Sequence, residues 1–289
     1  MSTPLAETVE VRKRFGDSTA VDGVNLHVSA GEVVGLLGAN GAGKTTVIRL
    51  LLGLLRASAG EVRLFGELPS RTTRRRLGYV PQSLGLYDDL TVRENLAFAA
   101  AVFGTKAARL PPELQAGRDE LVRDLPLGLQ RRLAFAQALA HQPELLMLDE
   151  PTSGVDPLGR ARLWDSIRQT AERGAGVLVT THYMGEAEQC DRLVVMTAGR
   201  VATAGTMADI IGDATAVEVR ATHWEAAFSA LDEAGLAVAL VGRTLRVPST
   251  SLDQVRATLQ AATINADTRE VSATFEESFV TLSAASPAR

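Results

Sequence analysis

At roughly 100–200 residues per domain, a chain of 289 residues is expected to hold one large domain and an appendage. Its 46% hydrophobic and 22% charged residues exclude a disordered polypeptide, and a net charge of -4, from 30 basic and 34 acidic residues, leaves no overall footprint for nucleic acid or anionic lipid. The lone Cys190 excludes an internal disulfide, as suits a reducing cytoplasm, and no run approaches the roughly 18 apolar residues of a signal-anchor or membrane span.

Glu7 to Arg12 alternates polar with apolar residues and Val21 to Val28 partly repeats that period, which predicts two strands of a half-exposed antiparallel sheet. Glu32 to Leu37 (EVVGLL) reads as a buried strand, followed by a glycine-rich turn and a helix over TTVIRLLLGLL. Between Leu90 and Asp124 the pattern is helical: ENLAFAAAVF and ELQAGRDELVRDL predict two helices around the breaker GTKAARLPP, a short insertion spanning about 83–127. A long helix from Gly128 to Ala140 leads into the strand LLMLD, Pro157 opens another helix, and GVLVTT is the next strand. This alternation implies an α/β fold with a largely parallel sheet covered on both faces. After about Gly205 the segments VEVRA, WEAAFSALDEAG, LAVALV, TLRVP, LDQVRATLQAA and TREVSA predict a small α+β domain over 206–283, with 284–289 as a frayed tail.

GANGAGKT, Gly38 to Thr45, sits between a predicted strand and helix and matches G-x-x-x-x-G-K-[ST]. Gly38, Ala39, Asn40, Gly41, Ala42 and Gly43 are candidates to wrap phosphates with backbone N–H groups, with Thr46 behind them at an anion-favouring helix start. Lys44 can reach β and γ oxygens, and Thr45 can ligate Mg²⁺. In LLMLDE, four apolar residues deliver Asp149 and Glu150 to the carboxyl edge of the sheet, where ligands bind in such folds. Asp149 is a candidate Mg²⁺ ligand, and Glu150 is a candidate to orient or deprotonate water. Together the two motifs imply a phosphate-loop NTPase.

Gln82 after LGYVP, a signature-like segment at Leu125 to Gln130, EPTSGVD after the acidic strand, and His182 after VLVTT follow in that order. With both phosphate-site motifs, they make residues 7–205 resemble an ABC transporter ATPase. The resemblance implies an N-terminal antiparallel β-subdomain and a helical subdomain on the P-loop core, with ATP and Mg²⁺ as ligands. It further implies that Phe15 stacks on adenine, that Gln82 joins the metal to the membrane partner, that Asp156 crosses a dimer interface, and that His182 contacts the γ-phosphate. Read alone, Phe15 fits a core or turn residue equally well. The partners implied are a separate membrane permease and a second ATPase subunit, in a homodimer or a heterodimer, at the cytoplasmic face of the membrane. The tail domain, EPTSGVDP, THYMGEAEQCDR and FEESFVTLS resemble the ATP-binding subunits of bacterial exporters for drugs, lipids or polysaccharides. A non-transport ABC protein of translation or repair would carry paired ATPase units or large insertions, which this sequence does not show.

The signature departs from the family's L-S-G-G-Q. In LPLGLQRRL, Pro126 replaces the serine and Leu127 the first glycine, while Gly128 remains. One charge-assisted hydrogen bond of about 1.5–3 kcal/mol is lost. A leucine would add about 1–2 kcal/mol of strain if its position required positive φ. Two readings stay open: a working but altered composite site, or a subunit that binds ATP and hydrolyses it weakly.

Overall fold

The computed structural model describes residues 3–106 and 110–284, with side chains as far as Phe279, in two compact units, Met1–Gly205 and Thr206–Arg289. The first unit runs β1 (Ala6–Phe15), β2 (Ser18–Val28), β3 (Val33–Leu37), α1 (Lys44–Leu51), β4 (Ala59–Leu64), α2 (Arg71–Arg74) and β5 (Leu77–Val80). It continues with α3 (Val92–Phe103), α4 (Leu127–Leu139), β6 (Leu145–Asp149), α5 (Pro157–Glu172), β7 (Gly176–Thr181), α6 (Met184–Ala187), β8 (Arg192–Thr197) and β9 (Arg200–Gly205).

A six-stranded sheet in the order β5-β6-β7-β3-β8-β9 forms the centre, parallel except for β9. Every residue of β3, β6 and β7 is buried, which explains why these strands read as unbroken apolar runs rather than as alternating ones. α5 packs against this sheet through Leu163, Trp164, Ile167 and Ala171, one stripe at helical spacing, and Asp156 and Pro157 start it as N-cap and first helical residue. A second sheet, β2-β1-β4, is antiparallel. Its third strand, Ala59–Leu64, gives little signal in sequence, because AGEVRL is short, carries Gly60 at its second position and buries only Val62 and Leu64. The helix after the glycine loop is also shorter than TTVIRLLLGLL suggested. It stops at Leu51, and Gly53 lies beyond it at φ 67.

The insertion needs a larger correction. ENLAFAAAVF is helical within α3, which opens on a Thr91–Glu94 capping box. The segment ELQAGRDELVRDL is not an α-helix: its helical turns are 3-10 turns at Pro112–Leu114 and Val122–Asp124, and Leu121 bridges Thr91. Its backbone is engaged elsewhere. The carbonyls of Glu120 and Arg118 accept from Val92 N and Arg93 N at the start of α3, and Val122 N donates to Leu90 O. Leu114, Val122 and Leu125 still reach one core with Val92, Leu96 and Leu133, so apolar spacing served packing without requiring helix.

The second unit runs α7 (Met207–Ile211), β10 (Thr215–Ala221), α8 (Trp224–Glu233), β11 (Ala239–Val241), β12 (Thr244–Pro248), α9 (Leu252–Ala261), β13 (Ala266–Ser272) and α10 (Phe275–Ala284). Its antiparallel sheet has the order β11-β12-β10-β13, the βαββαβ arrangement of a split βαβ fold, and α8 and α9 bury Leu231, Val255 and Leu259 against Val217 and Val219. Residues 285–289 of the expected tail lie outside the described residues. Among the described residues no helix is long and apolar enough to cross a membrane.

Candidate active site

β3, β7 and β6 lie side by side, with Leu37 opposite Thr181 and Asp149 opposite Thr180, and β5 flanks β6. The loops leaving their carboxyl ends therefore bring together residues 38–43, Gln82, Asp149, Glu150 and His182 from four distant segments. Between β3 and α1 the chain turns tightly. A Cβ on Gly38 would lie 2.4 Å from Met196 O, and one on Gly43, at φ 101, would lie 2.6 Å from Ala20 O. Only glycine lets the loop lie against β8 and β2 in this way. Ala39, Asn40 and Gly41 stand exposed at its rim, Ala42 is buried, and Thr45 and Thr46 are half-buried in the first turn of α1.

Lys44 is a buried cation of the site. Its Nζ donates to Gly38 O at 2.7 Å and Ala39 O at 3.1 Å, and lies 3.8 Å from Glu150 Oε1. Burial lowers its pKa, while the Glu150 and Asp149 carboxylates pull it upward. Asp149 is 1% exposed, and its Oδ1 accepts from Thr45 Oγ1 at 3.2 Å and Thr180 Oγ1 at 2.6 Å. Glu150 adopts φ 50, uncommon for a residue with a side chain. Its N–H donates to Thr180 Oγ1 at 2.9 Å, and its carboxylate meets Gln82 Nε2 at 3.3 Å and His182 Nδ1 at 3.4 Å. Lys44, Gln82 and His182 thus converge on one carboxylate.

The other expected residues lie apart from this cluster. Phe15 is 48% exposed at the end of β1 with Lys13 Nζ 4.9 Å from its ring centroid, which sets aside a core role. Asp156 caps α5. Its Oδ1 accepts from Gly159 N at 2.9 Å, and this bond holds the carboxyl below the usual range. In the signature, Pro126 occupies the N-cap position of α4 without a side-chain hydrogen bond. Leu127 is the first helical residue and does not adopt positive φ, so left-handed strain does not arise there. A Cβ on Gly128 would meet nothing within 4 Å, which leaves the helix start open on that side.

Two residues of the site escaped the sequence reading. Thr180 bridges the acidic pair, and its signal is a pair of hydroxyls, Thr180 and Thr181, closing the otherwise apolar, wholly buried strand GVLVTT. Arg131 is buried, and its Nη1 donates to Glu150 O and Pro151 O at 3.2 Å each. No signal in QRRL shows which of its two arginines turns inward.

A glycine-rich phosphate loop opening a helix, facing two acids at the end of a neighbouring strand, defines a phosphate-loop nucleotide hydrolase. The profile of the ABC transporter family matches residues 21–153. The Nod factor export ATP-binding protein I of Paraburkholderia xenovorans is 44% identical over 76% of this chain and 76% of its own length. A probable multidrug ABC transporter ATP-binding protein of Escherichia coli, YbhF, is 42% identical over 71% of this chain and 38% of its own length. Among solved structures, an ATP binding subunit of an ABC transporter aligns with TM-score 0.66 and 28% identity over 89% of this chain and 99% of its own. The cbiO1 subunit from Clostridium perfringens, part of an ABC transporter complex, aligns with TM-score 0.62 and 26% identity over 73% and 91%. The chain belongs to the ABC transporter ATP-binding family, nucleotide-binding ATPases that are coupled to transport and work with membrane permease partners.

Proposed function

We propose that this chain is the ATP-hydrolysing subunit of an exporter, lying at the inner face of the membrane and energising a separate permease. The observation that carries the reading is the convergence of Lys44, Thr45, Asp149, Glu150, Gln82 and His182 at one sheet edge. The phosphates of ATP would lie in the loop from Gly38 to Gly43, against the N–H groups that open α1. Lys44 then exchanges the carbonyls of Gly38 and Ala39 for β and γ oxygens. Phe15, exposed at the end of β1, offers its ring to the adenine.

The Thr45 hydroxyl, the Asp149 carboxylate and the Gln82 amide oxygen are hard donors of the kind that suit Mg²⁺, which binds through one or two carboxylates together with substrate phosphates. Bound there, the ion would neutralise charge on the β and γ oxygens. Glu150 orients or deprotonates the attacking water, and His182 contacts the γ-phosphate. The amides of Leu127, Gly128 and Leu129 at the start of α4, with Asp156, serve the nucleotide of a second ATPase subunit, so that ATP joins two chains and its hydrolysis releases them. Export is supported by the relatives named for Nod factor export and multidrug transport. The permease chooses the cargo.

Purified full-length chain is expected to hydrolyse ATP, Lys44→Ala to lose nucleotide affinity, and Glu150→Gln to bind ATP while turnover falls about 100-fold or more. Wild-type turnover no higher than that of Glu150→Gln would overturn the hydrolytic reading. It would favour instead a regulatory subunit of weak turnover, the alternative that Pro126 supports by lacking the signature hydroxyl.

A further inference from the structure

Arg131 is buried beside the candidate site and is not among the groups assigned to nucleotide, metal or water. It lies in the second turn of α4, is 8% exposed, and makes no ion pair among the described residues. Its neighbour Arg132 pairs with Glu113 at the surface. A buried guanidinium with no carboxylate in ion-pair contact is costly, the Glu150 carboxylate acting on it only through space, and here one donor, Nε, is buried without any partner. Packing alone does not explain the arginine, because an apolar side chain of similar length would fill the same space at lower cost.

Arg131 grips backbone carbonyls at the end of the acidic strand. Nη1 lies 3.2 Å from the carbonyl oxygens of both Glu150 and Pro151. Glu150 is therefore held at both ends: its N–H by Thr180 Oγ1 of β7 at 2.9 Å and its C=O by Arg131 of α4. Between these two grips the residue sits at φ 50, a conformation that a side chain disfavours and that persists only where surroundings impose it. That conformation aims the carboxylate at Lys44, Gln82 and His182. Resting on the assignment of Glu150 as the residue that activates water, we infer that Arg131 is a positioning residue. It fixes the left-handed conformation of Glu150 and makes the aim of its carboxylate depend on the signature helix.

The helical path is short. Leu127 opens α4, and Arg131 lies four residues on, about one turn from the end that is to meet a second subunit's nucleotide. A displacement of that helix end reaches the Glu150 carbonyl through one rigid turn and one side chain. Sealing of the partner's ATP is thereby coupled to alignment of the base that acts on the chain's own ATP.

The test uses the full-length chain, measuring steady-state ATP hydrolysis, affinity for a fluorescent ATP analogue, and thermal unfolding. Arg131→Met is expected to lower kcat by about 10- to 100-fold, the scale of a base misaimed by about an ångström, with ATP affinity within about twofold of wild type and Tm unchanged or raised. Arg131→Lys, which offers one ammonium to the two carbonyls, is expected to recover part of kcat, and it carries the test if the Met variant fails to fold. The inference is overturned if Arg131→Met keeps wild-type kcat while Glu150→Gln has lost it, or if kcat, affinity and Tm fall together as in a merely structural lesion. If Glu150→Gln itself keeps wild-type turnover, the assignment of Glu150 fails, and the role of Arg131 falls with it.

Discussion

Proline at position 126 leaves the first turn of α4 without a side-chain acceptor, and the backbone there, φ -55 and ψ 143, is the extended conformation in which an N-cap serine works. Pro126→Ser is expected to stabilise the helix start by about 1 kcal/mol, raising Tm by roughly 2–4 °C. In the proposed two-chain site the same hydroxyl would restore a donor to the partner's γ-phosphate, so turnover should rise as well. Thermal unfolding and steady-state hydrolysis read the two effects separately, and a variant that gains Tm without turnover would assign the altered signature a purely structural cost. Cys190 needs no functional role: burial beside Asp191 and Glu186 pushes its thiol up to about 12, and a Cβ on Gly35 would fall 2.8 Å from its Sγ.

At the scale of elements, the junction of α3, α4 and β5 turns on His141. Its ring stacks on Phe103, centroid to centroid 3.7 Å, and its Nε2 bonds Leu77 O at 3.0 Å, while Nδ1 is buried without a partner. Burial pushes the imidazole pKa down, and the Leu77 bond offsets this only in part. The neutral ring is therefore favoured in the folded chain. Its contribution to stability is whole above the unfolded pKa of about 6.5 and is lost as pH falls from there through the depressed folded value. Thermal unfolding at pH 7.5 and pH 5.5 should show a larger loss of Tm for wild type than for His141→Phe, which keeps a ring against Phe103 and cannot take up the proton. Equal losses would remove His141 as the source. The same insertion shows the limit of periodicity. ELQAGRDELVRDL has apolar spacing compatible with a helix, yet its carbonyls at Arg118 and Glu120 accept from the free N–H groups of α3, and this choice lies between segments rather than within either.

At the scale of the whole molecule, the two units have separate cores, and every residue of the candidate site belongs to the first. Leu231 is fully buried in the core of the second, against Val217, Val219 and Leu259. Leu231→Ala is expected to cost that unit about 2–5 kcal/mol and to bring its unfolding transition to a lower temperature. ATP turnover measured below that transition should be unchanged. A matching loss of turnover would show that the second unit supports the catalytic one energetically.

The phosphate loop and the acidic strand end were legible in sequence because their chemistry is local. Closely spaced glycines, a lysine at the helix start, and two carboxylates ending an apolar strand are properties of short segments, and the family follows from their order. Burial of β3, β6 and β7 was legible for the same reason, since a strand covered on both faces must be apolar throughout. Tertiary structure alone decided which hydroxyl bridges Asp149 and Glu150, which of two adjacent arginines turns inward, and that Glu150 adopts φ 50. The hydroxyl and arginine contacts, which hold that conformation, join residues 19 to 31 positions apart. Their energies belong to pairs of segments that only the folded sheet brings together.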